Sequence, residues 1–131
     1  MSMRFWRAKD RYGGLAAIFL ICSAQAPVDW AVKAGWIVFA NQSDKGLRAY
    51  YSPNSVKKEG NLVQAKYFTT TDRGRIFFVE IDCPHRTMRL ISYDAINPNT
   101  GGYIATHDMR EYPTGFIPPT HPVNFLSQKL C

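Results

Sequence analysis

The sequence predicts a small α+β domain: a small antiparallel β-sheet with a C-terminal helix tethered to one face by a disulfide. Three observations point to it. Apolar and polar residues alternate through most of the stretch from Trp36 to Asp108, the period of half-buried strands. A proline-broken connector follows, and beyond it Val123, Leu126 and Leu130 recur at helical spacing. Two cysteines, Cys83 closing a strand and Cys131 closing that helix, remain once an N-terminal leader is set aside.

The leader comes first. Arg4, Arg7, Lys9 and Arg11 form a basic region, Leu15 to Cys22 a short apolar run, and "SAQA" places Ala24 and Ala26 at the small-residue positions before a cut. That order predicts a signal peptide over residues 1–26 and a single domain over 27–131. The apolar run falls short of the ~20 residues that cross a bilayer, so no stable membrane span is expected after cleavage. Cys22 follows Ile21, not the small residue that precedes a lipidated cysteine. The chain holds three cysteines, and removing Cys22 leaves one pair. In an exported chain a pair reads as a disulfide, and in a reducing compartment it would be two thiols.

The strands are read in order. "WIVFAN" and "LRAYYS" flank the turn-rich "QSDKG" and form a hairpin. "SPNSVKKEGN" is a polar excursion. "LVQAKYFTT" places Val63, Ala65 and Tyr67 on one face, and "TDRG" turns the chain into "RIFFVEIDC". There Phe77, Val79, Ile81 and Cys83 share one side. With the next strand returning after Pro84 and His85, Ile81 opposes Met88, Val79 opposes Leu90 and Glu80 opposes Arg89, like with like and charge with countercharge. Pro84 disfavours a two-residue primed turn, which leaves a wider loop open. Phe78 and Ile91 would share the outer face and make it partly apolar. "INPNTGG" is a further turn and "YIATHD" a short edge strand. Pro113, Pro118, Pro119 and Pro122 exclude a central strand from residues 109–122. Thr120 or His121 then caps the last helix, with Pro122 in its first turn. The apolar faces of sheet and helix carry Cys83 and Cys131, so a bond between them would pin the helix across the sheet.

Charge narrows the function. The chain is +6, and its first 26 residues hold four Lys/Arg and one Asp, which leaves +3 for the domain. That is no nucleic-acid binder's balance. Most of it sits in Lys45, Arg48, Lys57, Lys58, Lys66, Arg73 and Arg75, set against Glu59 and Asp72. These basic residues are either a solvated sheet surface or a patch for polyanions and acidic surfaces. No catalytic constellation emerges. His107 and Asp108 are neighbours on a strand and point apart. Cys83, His85 and Cys131 lack a fourth well-placed donor for a metal. No serine stands in a nucleophile elbow and no glycine loop cradles phosphate. The sequence therefore predicts no enzyme, no metal and no cofactor.

The order of three segments, "AYYSPNSVKKEGNLVQAKYF", "FVEIDCPHRTMRLIS" and "FIPPTHPVNFLSQKLC", resembles the bacterial surface-adhesin protein E-like family across most of the domain. The resemblance implies an antiparallel sheet with its C-terminal helix tied by disulfide to the concave side, with Cys83 and Cys131 as the pair. It also implies adhesion to host extracellular matrix proteins, and a homodimer. The expectation is an exported, non-catalytic binding module at the periplasm or cell surface of a Gram-negative-type bacterium. The alternative is a periplasmic accessory subunit that binds another envelope protein.

The exported protein should begin at Pro27. N-terminal sequencing checks this, and an intact Met1 or a lipid on Cys22 would contradict it.

Overall fold

The computed structural model describes residues 28–131. The leader and its cut after Ala26 lie outside the described residues. A one-and-a-half-turn helix, α1 (Asp29–Lys33), opens the fold. Eight strands follow: β1 (Ile37–Gln42), β2 (Leu47–Tyr51), β3 (Lys57–Glu59), β4 (Leu62–Thr69), β5 (Arg75–Asp82), β6 (Thr87–Ile96), β7 (Tyr103–Asp108) and β8 (Gly115–Phe116). Helix α2 (Pro122–Leu130) closes the chain.

All strand pairs are antiparallel, in the order β1-β2-β4-β5-β6-β7. The three long central strands set the frame. Short strands share their flanks: β2 and β3 lie along β4, and β7 and β8 lie along β6. The expected register of β5 and β6 is present, with Ile81 opposite Met88, Val79 opposite Leu90 and Glu80 opposite Arg89. The connection is the wider one, Cys83 to Arg86. Arg86 adopts φ 56° and donates its amide to the Asp82 carbonyl at 2.9 Å.

Alternation dictates the main core. Ala65 and Tyr67 on β4 and Val79 and Ile81 on β5 face α2, whose Val123 and Leu126 are fully buried against them, and Val63, opposite Ile81, is buried on the same face. Each such aliphatic side chain contributes roughly 1.5–3 kcal/mol by leaving water. His121 caps α2: its Nδ1 accepts the Val123 amide at 3.1 Å, and Pro122 follows where its missing N–H is harmless. At the other end Cys131 is bonded to Cys83, with the two Cα atoms 5.8 Å apart. The disulfide thus ties the helix end to the loop that leaves β5.

The opposite face has a cover of its own that the alternation of the strands does not foretell. Helix α1 packs Ala31 and Trp30 on Tyr50, Phe68, Ile76 and Ile96. Trp30 stacks on Phe68 at 5.1 Å and donates Nε1–H to the Pro98 carbonyl at 3.1 Å. Gly101 lets the turn come this close, because a Cβ there would stand 2.5 Å from the indole and its φ is +76°. Phe78 remains half-buried on this face, whereas Ile91 is an extra residue: Phe78 pairs with Ser92 and Val79 with Leu90, so a bulge skips Ile91.

Two outcomes follow. Cys131→Ser should cost ~2–5 kcal/mol, a drop on the order of 10 °C in Tm, and should expose residues of α2 to protease before the sheet opens. A thermal melt and timed proteolysis without reductant measure both. The second concerns His121, whose burial lowers its pKa from 6.5 and so favours the neutral ring that accepts the cap bond. Its contribution is complete above pH 6.5 and is lost as pH falls through the lower folded value. His121→Asn, which keeps a capping acceptor but does not titrate here, should flatten that part of the stability curve in urea melts from pH 7 to 5.

Candidate functional site

One row of side chains crosses the whole sheet on the α2 face. Cross-strand pairing sets Ile37 opposite Tyr51, Tyr51 opposite Tyr67, Tyr67 opposite Phe77, Phe77 opposite Tyr93 and Tyr93 opposite His107. Two of the ring pairs meet face to face. Tyr67 and Phe77 stack at 5.5 Å between centroids, and Tyr93 and His107 stack at 4.7 Å with 19° between their planes. Phe77 and Tyr93 are tilted at 6.0 Å. The inner part of the row lies beneath α2, with Tyr51 and Tyr67 buried in the core. Burial, then the Asp72 carboxylate, raise the Tyr67 pKa, so its phenol stays protonated. The outer part emerges: Phe77 and Tyr93 are half-buried and His107 is exposed on β7. The Arg75 guanidinium lies 5.1 Å from the centroid of the Tyr93 ring and 3.8 Å from Asp72.

Beside this row the β7–β8 flank carries large exposed side chains. Tyr103 and Ile104 on β7 are each 66% exposed, Tyr112 on the connector 54% and Phe116 on β8 81%. Proline explains the last two. The connector cannot continue as sheet, so it crosses β6 in a two-residue strand and leaves its rings outside. Under it, Met88, Leu90, Tyr112, Phe116, Pro118 and His121 line a cavity of about 170 Å³.

The far face is polar where α1 does not reach. Gln64 donates to Glu80 at 2.9 Å and Arg89 to the other Glu80 oxygen at 3.1 Å. The Gln64 bond and the Arg89 bond and charge hold the Glu80 carboxyl below its usual range against the cost of burial. Thr106 donates to Asp94, and Lys66 lies 3.7 Å from the same carboxylate.

The seven basic residues singled out from the sequence are not gathered into one patch. Lys57 pairs with Gln64 and Lys58 with Val63, so the two exposed ammonium groups project to opposite faces. Arg48 reaches the Tyr50 hydroxyl at 3.4 Å on the α1 side. Lys66 shares that side and is paired to Asp94. Arg73 borders a cavity of about 220 Å³ beside Trp30 and Phe68. Arg75 stands over Tyr93 on the α2 side, and Lys45 is exposed in the turn after β1. Of the histidines, His85 bonds Asp82 at 3.0 Å on the surface, His107 stacks in the row, and His121 caps α2. Among the described residues no cluster of three His, Cys, Asp or Glu is arranged to hold a metal ion.

The row itself escaped the sequence reading beyond Phe77. Strict alternation from Leu90 assigns Ser92 and Asp94 to the α2 face, whereas the bulge at Ile91 moves Tyr93 and Ala95 there. The signal was the phase break itself, Met88 and Leu90 followed by Tyr93.

Comparison with known proteins adds no family: no family model, no curated protein and no solved structure matches this chain.

Proposed function

We propose that this chain is an exported, non-catalytic binding module of the bacterial envelope, adhesin-like, holding a protein ligand on the β7–β8 flank. One observation carries the reading. Tyr103 and Ile104 toward the Ile96 end of β6, and Tyr112 and Phe116 toward its Thr87 end, are the four most exposed large apolar or aromatic side chains on the sheet and its connector, and all lie along one flank. Exposed aromatic side chains mark protein interaction surfaces, and large rings supply most of the binding energy there. The Cys83–Cys131 bond fits an oxidising compartment outside the cytoplasm. Resemblance to the surface-adhesin protein E-like family supports a ligand among host extracellular matrix proteins. The basic residues play a secondary part in this reading, because a ligand on one face meets Arg75 or Lys58 but not Arg48 or Lys66.

The test is retention of purified matrix proteins, and in parallel of envelope extract, on the immobilised oxidised protein, together with labelling of intact cells. Tyr112→Ser with Phe116→Ser should weaken retention roughly tenfold or more and leave the Tm nearly unchanged, since both rings are exposed. Retention that survives this double change removes the flank from the ligand surface. No retention from either source, with the protein folded, removes the binding module itself.

A further inference from the structure

We propose that β7 is a docking edge at which an extended segment of the protein ligand adds as an antiparallel strand and sets an aromatic ring against His107. This rests on the binding-module reading and specifies where and how the ligand is held.

The backbone supplies the first part of the argument. Residues of an antiparallel strand alternate between those whose N–H and C=O face one neighbour and those that face the other. Just beyond the Ser92–Asp108 pair, the Met109 amide donates to the Ile91 carbonyl at 2.9 Å. Counting back by two, His107 and Ala105 address β6, and the groups of Thr106 and Asp108 point away from the sheet. β7 is the outermost strand on this side. Its sequence, "YIATHD", carries neither lysine nor proline, the usual guards of an open edge. The opposite edge is different: a bulge between Val38 and Ala40 breaks β1 in its middle, whereas Ala105–Asp108 run in unbroken register.

The aromatic row supplies the second part. Phe77 and Tyr93 each have a ring on both sides, and the row stops at His107 with one ring face open at the edge. Because Thr106 and Asp108 would make the hydrogen bonds, the residue opposite His107 falls in the non-hydrogen-bonded position, where Cα atoms approach to about 4.5 Å and side chains meet closest. A ring there continues the stack. Its neighbours on the incoming strand turn to the other face, against Thr106 and Asp108. Asp108 is ionised at all ordinary pH, its pKa lowered to about 2 by the bonds from Arg110. The fitting segment therefore sets an aromatic residue opposite His107 between two polar ones, and a basic residue opposite Asp108 would share its carboxylate with Arg110.

A second copy of this chain fits less well. Tyr103 shares a hydrogen bond with Thr106 on the far face, because the bulge at Ile104 turns it away from His107. Two β7 strands can oppose ring to ring only as His107 on His107, with residues 106–108 alone in register.

The probe is an acetylated, amidated peptide, Thr-Val-Lys-Tyr-Thr-Val-Thr, titrated into the oxidised, isotope-labelled protein and followed by amide shifts and amide exchange. The amides of Thr106 and Asp108 should shift and gain protection. Replacing the peptide's tyrosine by alanine should weaken binding about three- to tenfold, and His107→Ala should erase that preference. N-methylation of the peptide's lysine amide should abolish binding without altering the protein. Thr106→Pro, which removes the outward N–H, should reduce retention of the ligand in the pull-down above, whereas Thr106→Val, which loses the same hydroxyl bonds to Asp94 and Tyr103 but keeps the N–H, should not. If the proline variant does not fold, the N-methylated peptide decides. Absence of any shift at millimolar peptide, or shifts confined to β1 or the α1 face, overturns the proposal. Protection of residues 106–108 without peptide, in a dimer, assigns the edge to a second copy and overturns it as well. A ligand retained equally by a folded Thr106→Pro leaves the binding module standing and removes the edge.

Discussion

Val79 and Ile81 have no exposed surface, and what hides them is a helix of nine residues. A helix that short is marginal alone in water, so its formation and its docking are one event. Val123 and Leu126 provide the driving force, and the chain fixes both ends. His121 and Pro122 set the first turn, and the Cys83–Cys131 bond closes the last onto the β5–β6 loop. The rest of the fold depends on this clamp. Without it the apolar side of β4 and β5 faces water, and the inner half of the aromatic row loses its lid.

The clamp covers only part of its face, and the bulge at Ile91 decides what the remainder presents. Up to Leu90, β6 sends Met88 and Leu90 toward α2 and its connector. Past the skipped residue the phase inverts. Tyr93 and Ala95 take over that face, and Asp94 and Ile96 go to the other, where Ile96 packs under α1 and Asp94 meets Lys66 and Thr106. One extra residue thus gives the sheet an aromatic surface on one side and a hydrogen-bonded polar surface on the other. Bulges concentrate where a strand must re-aim its side chains, and here the re-aimed chain is Tyr93, which links the buried core to exposed His107.

Much of this was legible in the sequence because local rules and tertiary contacts agree. The β5–β6 register followed from pairing apolar with apolar and Glu80 with Arg89. The helix, a cap at Thr120 or His121 and the bond between Cys83 and Cys131 followed from spacing and cysteine count, and the structure gives the cap to His121. What escaped was set by contacts distant in sequence. Helix α1 is five residues long, too short for a periodic signal, and exists because Ala31 and Trp30 find Phe68 and Ile96. β3 and β8 hold three and two residues and are defined by partners on β4 and β6, not by their own composition. The basic stretch looked continuous along the chain, yet adjacent strand residues face opposite ways, so Lys57 and Lys58 part company as soon as β3 pairs.

That separation bears on how the molecule can bind. Seven positive side chains divided between two faces give a diffuse field with little directional preference, screened within about 10 Å at 0.1 M salt. Two of them are already engaged by carboxylates, Lys66 by Asp94 and Arg75 by Asp72 beside the Tyr93 ring. Such a field can raise encounter rates with an acidic partner but cannot fix its orientation. Orientation needs directed groups, and on this molecule they lie elsewhere: the outward amides and carbonyls of Thr106 and Asp108, and the open face of His107 at the end of the aromatic row. Apolar area from Tyr112 and Phe116 stands on the same flank, where proline keeps it from folding inward. In the proposed binding mode, affinity, direction and register thus converge on one edge of the sheet, and the positive charge would serve approach rather than recognition.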